Sequence, residues 1–329
     1  MTRTLRGLLV VLACSVGGLA SAAVADLRDF QAADGSVVVR VGGDVVDPYF
    51  ANKALIIAMD AGVDVRKELR AWMAWLLPRQ RADGGFDRFC GGRGAEWRAC
   101  MGADADDATA ATTIHLLRSA GSRGWLNARE TEQARLAERR ATAMLSTLYD
   151  DRNGLYRVFA TQPVYYLMDN IEVYEALRSQ QRPAPAAALA KSILSQFRSN
   201  GAWQPAIPLM DREAFYPHAL ARTYLWPSGI LSDTEGAADI AAWLAHFSDL
   251  WIGRHKDPFA WGIVAWNIHR LAPAEAACWR KSVRMAAAGA GWTVLDAAAD
   301  EALARQNIQI SCSRQLSLSM ASPPEGAGG

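Results

Sequence analysis

Two kinds of helical segment alternate along this chain, and the alternation restricts the fold more than any other feature of the sequence. Segments 69–77, 137–148, 189–197 and 237–251 carry apolar residues at helical spacing on one face only. Between them lie segments that are apolar on nearly every side, at 49–59, 108–117, 171–177, 215–225 and 259–271. A helix that is apolar all round must be buried on all sides, whereas a striped helix covers a core with one face. The sequence therefore predicts buried inner helices surrounded by amphipathic outer helices.

Acidic residues lie just before the all-apolar segments, at positions 47, 104, 169, 211 and 257. Asp47 and Asp257 are each followed by proline, which is typical of an N-cap and a first helical position. Successive openings lie 42 to 65 residues apart, as in a repeated helical hairpin. Five inner–outer pairs are visible, and segment 294–304 supplies part of a sixth. The pattern predicts an all-α fold, an (α/α)6 toroid with minor short strands. An open helical solenoid is the alternative.

The first 25 residues have the features of a secretory signal. Arg3 and Arg6 precede the apolar run 7–16, small residues lead to Ala25, and the run is too short to span a membrane. Cys14 offers lipid attachment as an alternative. We expect a periplasmic or secreted protein without a membrane span. Its expected parts are the signal (1–25), an N-terminal extension with a possible strand at 37–41 (26–46), the toroid (47–310) and a partly disordered tail (311–329).

Export would place the four cysteines beyond Cys14 in an oxidising compartment, where an even number favours disulfides. Cys90 and Cys100 flank a glycine-rich loop, and Cys278 with Cys312 would join the tail to the body. Zinc binding is the rival use of these cysteines, but no CxxC or HxxxH spacing supports it. We therefore expect two disulfides, no metal and no cofactor.

The charge balance excludes some partners. The chain has 35 basic and 34 acidic residues, so nothing in its net charge favours nucleic acid or an anionic membrane surface. A hydrophobic fraction of 51% excludes a disordered chain. We expect a globular monomer.

In a toroid the inner helices run parallel, so their starting ends meet at one mouth. The densest acidic cluster, Asp104 with Asp106 and Asp107, exceeds what one helix cap needs, and like charges so close together repel each other unless a partner or substrate uses them. Hydrolysis of a glycosidic bond uses two carboxyl groups. We predict that Asp104 or Asp107 acts with Asp169 as this pair. The alternative is one cap with two solvated neighbours.

Other side chains near the predicted helix starts suit the binding of a polyhydroxylated ligand. Carboxylates, amides and hydroxyls bind sugar hydroxyls, and flat aromatic faces stack on sugar rings, although most tryptophans in helical proteins serve packing. Glu172, three residues after Asp169, has the spacing of a capping box and is assigned a structural role. The predicted substrate-binding residues are Asp47, Tyr49, Asp87, Asp106, Tyr166, Asn170, Trp203, Tyr216, His218 and Trp261.

Three blocks carry a resemblance to a known superfamily: 47–52, 104–112 and 167–174 resemble exported bacterial proteins of the six-hairpin glycosidase superfamily. The resemblance spans most of residues 44–270 and implies the toroid fold and a glycosidase activity. The nearest family by motif is glycoside hydrolase family 8, whose signature reads Ala, Ser or Thr, Asp, Ala or Gly, Asp. Here Ala103-Asp104-Ala105-Asp106 lacks the Ser or Thr, and the family's Ser-Glu-Gly block, which carries its acid, is not recognisable. The resemblance implies a catalytic or sugar-binding role for Asp104 and leaves the acid unassigned.

The function expected from these features is an exported, inverting glycoside hydrolase acting on a polysaccharide or oligosaccharide. A non-catalytic carbohydrate-binding or envelope-polysaccharide assembly factor would use the same side chains, and a polysaccharide lyase would use a Tyr or His base. The run Asp104-Ala105-Asp106-Asp107 also resembles the DxDD proton-donor motif of class II terpene cyclases, which are built on another toroid.

Overall fold

The computed structural model describes residues 25–92, 95–199, 201–208, 215–253, 259–284 and 291–312. The helices in these ranges are α1 (Pro48–Asp60), α2 (Arg66–Leu76), α3 (Asp106–Ser122), α4 (Ala128–Leu148), α5 (Leu167–Ser179), α6 (Pro183–Gln196), α7 (Leu220–Thr223), α8 (Leu225–Ser228), α9 (Asp233–Gly253), α10 (Gly262–Ile268), α11 (Pro273–Arg284) and α12 (Val294–Arg305). Residues 1–24 of the predicted signal, most of the predicted tail and the acids at 211, 213 and 257 lie outside the described residues.

Helices α1, α3, α5, α7, α10 and α12 form a closed inner ring. Each packs against the next in this order, and α12 returns to pack against α1. Helices α4, α6 and α11 lie outside α3, α5 and α10, and α9 packs on the segment around α7 and α8. The predicted (α/α)6 toroid is confirmed, and the return contact between α12 and α1 excludes the open solenoid.

The first hairpin shows why the two helix types separate. Asp47 caps α1 by accepting the backbone N–H of Tyr49 at 3.0 Å, and Pro48 occupies the first helical position. Every residue from Ala51 to Met59 is buried, including two polar ones. In α2 the buried residues are confined to one face, which covers α1 and the N-terminal segment: Leu69, Trp72, Met73, Trp75 and Leu76.

The starts of α3 and α5 differ from the prediction. Residue Ala105 takes the N-cap position of α3 without a side-chain cap, and Tyr166 does so for α5. The aspartates of both segments are therefore not caps, since Asp106, Asp107 and Asp169 lie within the first helical turn. This frees their carboxyl groups for other contacts.

The fourth and fifth inner segments are shorter than predicted. Segment 215–225 is broken, because Tyr216 precedes a proline and takes an extended conformation (φ −100°, ψ 131°). In segment 259–271 the helix begins only at Gly262, after Trp261 adopts a left-handed conformation with φ +49°. A Cβ on Gly262 would lie 2.9 Å from Ala299, so glycine permits the close approach of α10 to α12.

The strands are short and lie at the rim. They are β1 (Val45–Val46), β2 (Asp87–Gly92), β3 (Ala95–Gly102), β4 (Tyr149–Asp150), β5 (Leu155–Tyr156), β6 (Tyr165–Tyr166), β7 (Arg198–Ser199), β8 (Ala202–Trp203) and β9 (Ala206–Ile207). One sheet has the order β1-β2-β3, and the pairs β4-β5, β6-β9 and β7-β8 form the others, all antiparallel.

Two strand expectations need correction. The predicted strand at 37–41 is reduced to one bridge between Val37 and Gln31, because the chain turns at once through glycines 42 and 43 into β1. The predicted glycine-rich loop is instead the β2–β3 hairpin, in which Gly91 supplies a positive φ and passes within close contact of the Glu96 backbone.

Both predicted disulfides are present. Cys90 and Cys100 join the two strands of the β2–β3 hairpin, and Cys278 on α11 bonds to Cys312 beyond α12. None of the helices described has the length and apolar character needed to cross a membrane.

Candidate active site

A cavity of about 480 Å³ lies where the starting ends of the inner helices converge. All six inner helices, or the residues just before them, contribute to its wall. The described residues that line it are Asp47, Tyr49, Phe50, Asp104, Ala105, Ala108, Thr109, Met168, Asp169, Phe215, Tyr216, Leu220, Tyr224, Leu250, Phe259, Trp261, Ile263 and Leu295. The carboxyl groups of Asp47, Asp104 and Asp169, which are 57 and 65 residues apart in sequence, thus line one cavity.

Asp47 enters the cavity wall from the start of α1. Only 7% of the residue is exposed. Burial raises the pKa of its carboxyl to about 6, and the neighbouring charge of Asp104 adds to this, against the Tyr49 N–H and Arg88, which lower it. Asp47 can therefore exchange a proton close to neutral pH.

The three aspartates of the 104–107 run point to three different partners, which resolves their expected repulsion. Asp104 is two-thirds exposed, lines the cavity and lies 3.7 Å from the Arg88 guanidinium. Asp106 accepts a hydrogen bond from Arg81 at 3.0 Å. Asp107 is fully buried and accepts the N–H of Ala108 at 2.9 Å.

Asp107 and Asp169 form a buried carboxyl pair between α3 and α5. The two carboxyls interact directly, and Asp107 Oδ2 and Asp169 Oδ2 have no donor among the described residues. A contact between two carboxyls is favourable only when one of them carries a proton. Burial raises the pKa of both carboxyls well above the ordinary value, and for Asp169 the charges of Asp107 and Glu172 raise it further. Asp169 presents this pair to the cavity.

A buried polar network lies beside the pair, and the sequence did not reveal it. The Lys53 ammonium lies 3.1 Å from the Glu172 carboxylate and 3.5 Å from that of Glu175. The Tyr49 hydroxyl donates to Glu172 at 2.9 Å and lies 2.8 Å from the hydroxyl of Tyr224. Burial raises the pKa of Glu172 to about 7, against the lowering effect of Lys53. The capping-box assignment of Glu172 was wrong, because its side chain reaches across to α1.

An aromatic platform lines the same cavity as the carboxyl groups. The Tyr216 and Trp261 rings stack with centroids 5.6 Å apart and planes 8° apart. Tyr216 is 40% exposed, and the Trp261 indole N–H has no acceptor among the described residues. The platform thus offers a flat aromatic face to a ligand, while the unpaired Trp261 N–H is buried.

Six residues predicted to contact substrate do not line this cavity. Asp87 and Asp106 are both bound by Arg81. Asn170 bonds to the backbone of Tyr156, as its fully buried amide requires. The remaining three also lie outside the wall: Tyr166 precedes α5, while Trp203 and His218 line a separate cavity of about 320 Å³. Residues that line the main cavity without having been predicted include Tyr224 and Phe259, which sequence spacing alone could not distinguish from core.

The sequence matches no protein-family model and no curated protein. Solved structures match it in fold. Rex8A from Paenibacillus barcinonensis, solved with xylose, aligns with a TM-score of 0.55 at 13% identity, over 85% of this chain and 86% of that one. A reducing end xylose-releasing exo-oligoxylanase aligns at 0.56, 13% identity, 85% and 84% coverage. An α-amylase from Clostridium perfringens aligns at 0.57, 13% identity, 85% and 94% coverage.

These alignments define the class of architecture: the chain has the (α/α)6 toroid fold that six-hairpin glycosidases share. The predicted resemblance is confirmed at the level of the fold.

Proposed function

We propose that this protein is an exported glycoside hydrolase that cleaves its substrate at the mouth of the toroid. One observation carries the proposal: carboxyl groups from three different inner helices line a single chamber with a stacked aromatic platform. Hydrolysis of a glycosidic bond needs an acid and a base from such a set, and an aromatic face suits a sugar ring. The enzymes that share the fold include a xylose-releasing oligoxylanase and an α-amylase, which supports the same reaction class.

We assign Asp169 as the general acid. Burial raises its pKa well above the ordinary carboxyl value, which favours the protonated, proton-donating form. The neighbouring Asp107 carboxylate favours retention of that proton on Asp169 until the leaving oxygen accepts it. Asp107 is therefore a positioning residue in this proposal.

We assign Asp104 as the general base. Its exposed carboxylate lines the cavity just before α3, on a different segment from Asp169. The assignment requires a water molecule between the two carboxyl groups. In the inverting mechanism the base takes a proton from that water while the acid protonates the leaving oxygen. Carboxyl groups roughly 6.5–9.5 Å apart fit inversion, whereas a separation of about 5 Å fits retention.

Asp47 is the alternative acid, because its pKa of about 6 also suits proton donation near neutral pH. In the primary assignment Asp47 accepts a substrate hydroxyl, and Tyr216 with Trp261 supports the ring. The alkaline limb of the pH–rate profile distinguishes the two assignments. If Asp47 is the acid, activity falls above about pH 6, and an alkaline limb at another pH excludes Asp47 as the acid.

The geometry disfavours a lyase. Such an enzyme needs a Tyr or His base, but burial raises the pKa of Tyr49, Tyr216 and Tyr224, so these hydroxyls resist giving up a proton. His218 lies outside the cavity wall. A binding protein without activity would have the same ligand contacts and is separated from a hydrolase only by product formation.

Export and a monomeric state belong to the same proposal. The basic and apolar start of the chain supports export, and two disulfides fit an oxidising compartment.

The test is a screen of the purified protein against a panel of polysaccharides and oligosaccharides, with new reducing ends as the readout. We expect the wild type to be active on one class of glycan, Asp169→Asn to lose at least about a hundredfold in rate, and Asp64→Asn, on an exposed turn, to remain active. Proton NMR of the first product then reports inversion or retention. Activity undiminished in Asp169→Asn would refute the assignment of the acid.

A further inference from the structure

The cavity at the mouth of the toroid is chemically two-sided. Its carboxyl groups all come from the half built by α1, α3 and α5. The opposite half, contributed by α7, α9, α10 and α12, presents aliphatic and aromatic side chains, among them Leu220, Leu250, Phe259, Ile263 and Leu295. Among the described residues, this second half contributes no charged side chain to the wall.

The tyrosines and the tryptophan mark the boundary between the two halves. The Tyr224 hydroxyl is already engaged by Tyr49 at 2.8 Å, at the edge facing the acidic half. The Tyr216 and Trp261 rings stack with their planes nearly parallel, and the Trp261 indole N–H is buried. Among the described residues that line the chamber, the charged hydrogen-bonding groups therefore lie on one side.

This distribution discriminates between ligands. A sugar ring placed against the apolar half would bury hydroxyl groups without hydrogen-bond partners, and each such group weakens binding. A hydrocarbon group placed there would instead strengthen binding with each buried methylene. The apolar half thus disfavours a second sugar and favours a hydrocarbon chain or an aryl ring.

The dimensions fit a ligand of this kind. The volume of about 480 Å³ lies within the range of about 300–1,000 Å³ that is usual for small-molecule sites. The acidic half and the apolar half are walls of the same chamber, so one compact molecule can contact both.

We propose that the substrate is an amphiphilic glycoside, with its sugar in the acidic half and an apolar aglycone against Leu250, Phe259 and Ile263. This inference rests on the proposed hydrolase function. Water attacks the anomeric carbon and gives a proton to Asp104, the bond from that carbon to the glycosidic oxygen breaks, and Asp169 protonates the oxygen. The products are the free sugar and an apolar alcohol.

The test measures binding by titration calorimetry and does not depend on turnover. The probes are n-octyl β-D-glucopyranoside and n-octyl β-D-xylopyranoside, each below its micelle-forming concentration, the corresponding methyl glycosides, and 1-octanol alone. Release of octanol from the octyl glycosides is followed separately by gas chromatography.

We expect at least one octyl glycoside to bind about tenfold or more tightly than its methyl counterpart. Leu250→Asn, which places an amide in the apolar half, should reduce that preference at least about threefold. Leu136→Asn, an exposed leucine on the outer helix α4, is the matched control and should leave the preference intact.

Equal binding of octyl and methyl glycosides, or a preference that survives Leu250→Asn, would overturn the inference. Octanol that binds as tightly as the octyl glycosides would also overturn it, because the sugar half would then contribute nothing. Octyl preference without octanol release supports this site while contradicting the hydrolase proposal. Cleavage of unsubstituted oligosaccharides without a preference for octyl glycosides would support the hydrolase proposal and overturn the inference of an amphiphilic substrate.

Discussion

Replacing Asp47 by asparagine should stabilise the protein, and the gain should depend on pH. Asparagine keeps a side-chain oxygen that can accept the Tyr49 N–H, which the aspartate accepts at 3.0 Å, so the cap of α1 survives. What the substitution removes is a buried carboxyl whose pKa in the folded protein is about 6 against an ordinary value of 3.8.

The sign of the effect follows from proton linkage. Below pH 3.8 the carboxyl is protonated in the folded and in the unfolded chain, so it has no effect on the pH dependence. Between pH 3.8 and about 6 the unfolded chain releases the proton and the folded protein retains it, so the free energy of unfolding falls as pH rises. At about 1.4 kcal/mol per pKa unit, the loss above pH 6 amounts to about 3 kcal/mol.

Urea denaturation of the wild type and of Asp47→Asn measures this pH dependence directly. A range from about pH 3.5 to about pH 8 covers the folded and the unfolded pKa of Asp47. We expect the variant to gain little at the acidic end and about 3 kcal/mol at pH 7. Asp64→Asn, on an exposed turn, is the control and should change stability by no more than about 0.5 kcal/mol. A gain for Asp47→Asn that is the same at every pH would refute the reasoning, because burial of a charge would then not be its cause.

Three further substitutions test other parts of the structure. Lys53→Met leaves the Glu172 and Glu175 carboxyls without their cation, and chemical denaturation should show that the free energy of unfolding falls by about 3–5 kcal/mol. Lys191→Met, on the exposed face of α6, is the control and should change the free energy of unfolding little. Equal losses in the two variants would contradict the ion-pair account. Gly84→Ala places a Cβ 2.2 Å from the Arg140 carbonyl at φ +98°, whereas Gly124→Ala, at φ +65°, meets nothing within 4 Å. Thermal melts should therefore show a clearly larger loss for Gly84→Ala, and similar losses would refute the contact. Arg81→Met removes the shared partner of Asp83, Asp87 and Asp106 at the rim. Because these groups are partly exposed, we expect the free energy of unfolding to fall by about 1 kcal/mol, and by less in high salt. A loss that does not depend on salt would contradict an electrostatic origin.

The sequence was most informative where burial alone decides structure. Segment 49–59 is apolar on every side, and α1 is indeed buried throughout. The same reasoning correctly identified the inner ring, because an all-apolar helix has no other stable position. This reasoning overestimated the length of two inner helices. In segment 215–225 the proline after Tyr216 interrupts the helix, and in segment 259–271 Trp261 does not have helical geometry.

Single side chains were harder to predict than helices. Asp104 and Asp169 lie at one cavity because parallel inner helices gather their starts, which the repeat pattern implied. Arg81 could not be identified as the partner of Asp106, nor Lys53 as that of Glu172, because both pairs join distant segments. The apolar half of the cavity could not be predicted either, because Leu250 and Ile263 are indistinguishable in sequence from core residues.

The most direct test of the central claim compares catalysis and binding in Asp104→Asn, using an oligosaccharide or glycoside that the wild type cleaves. If the mouth of the toroid is the catalytic centre and Asp104 activates the water, kcat/KM should fall by about a thousandfold or more while the Kd for the intact substrate stays within about threefold. A variant that cleaves at the wild-type rate, or one that loses binding in proportion to rate, would contradict the account.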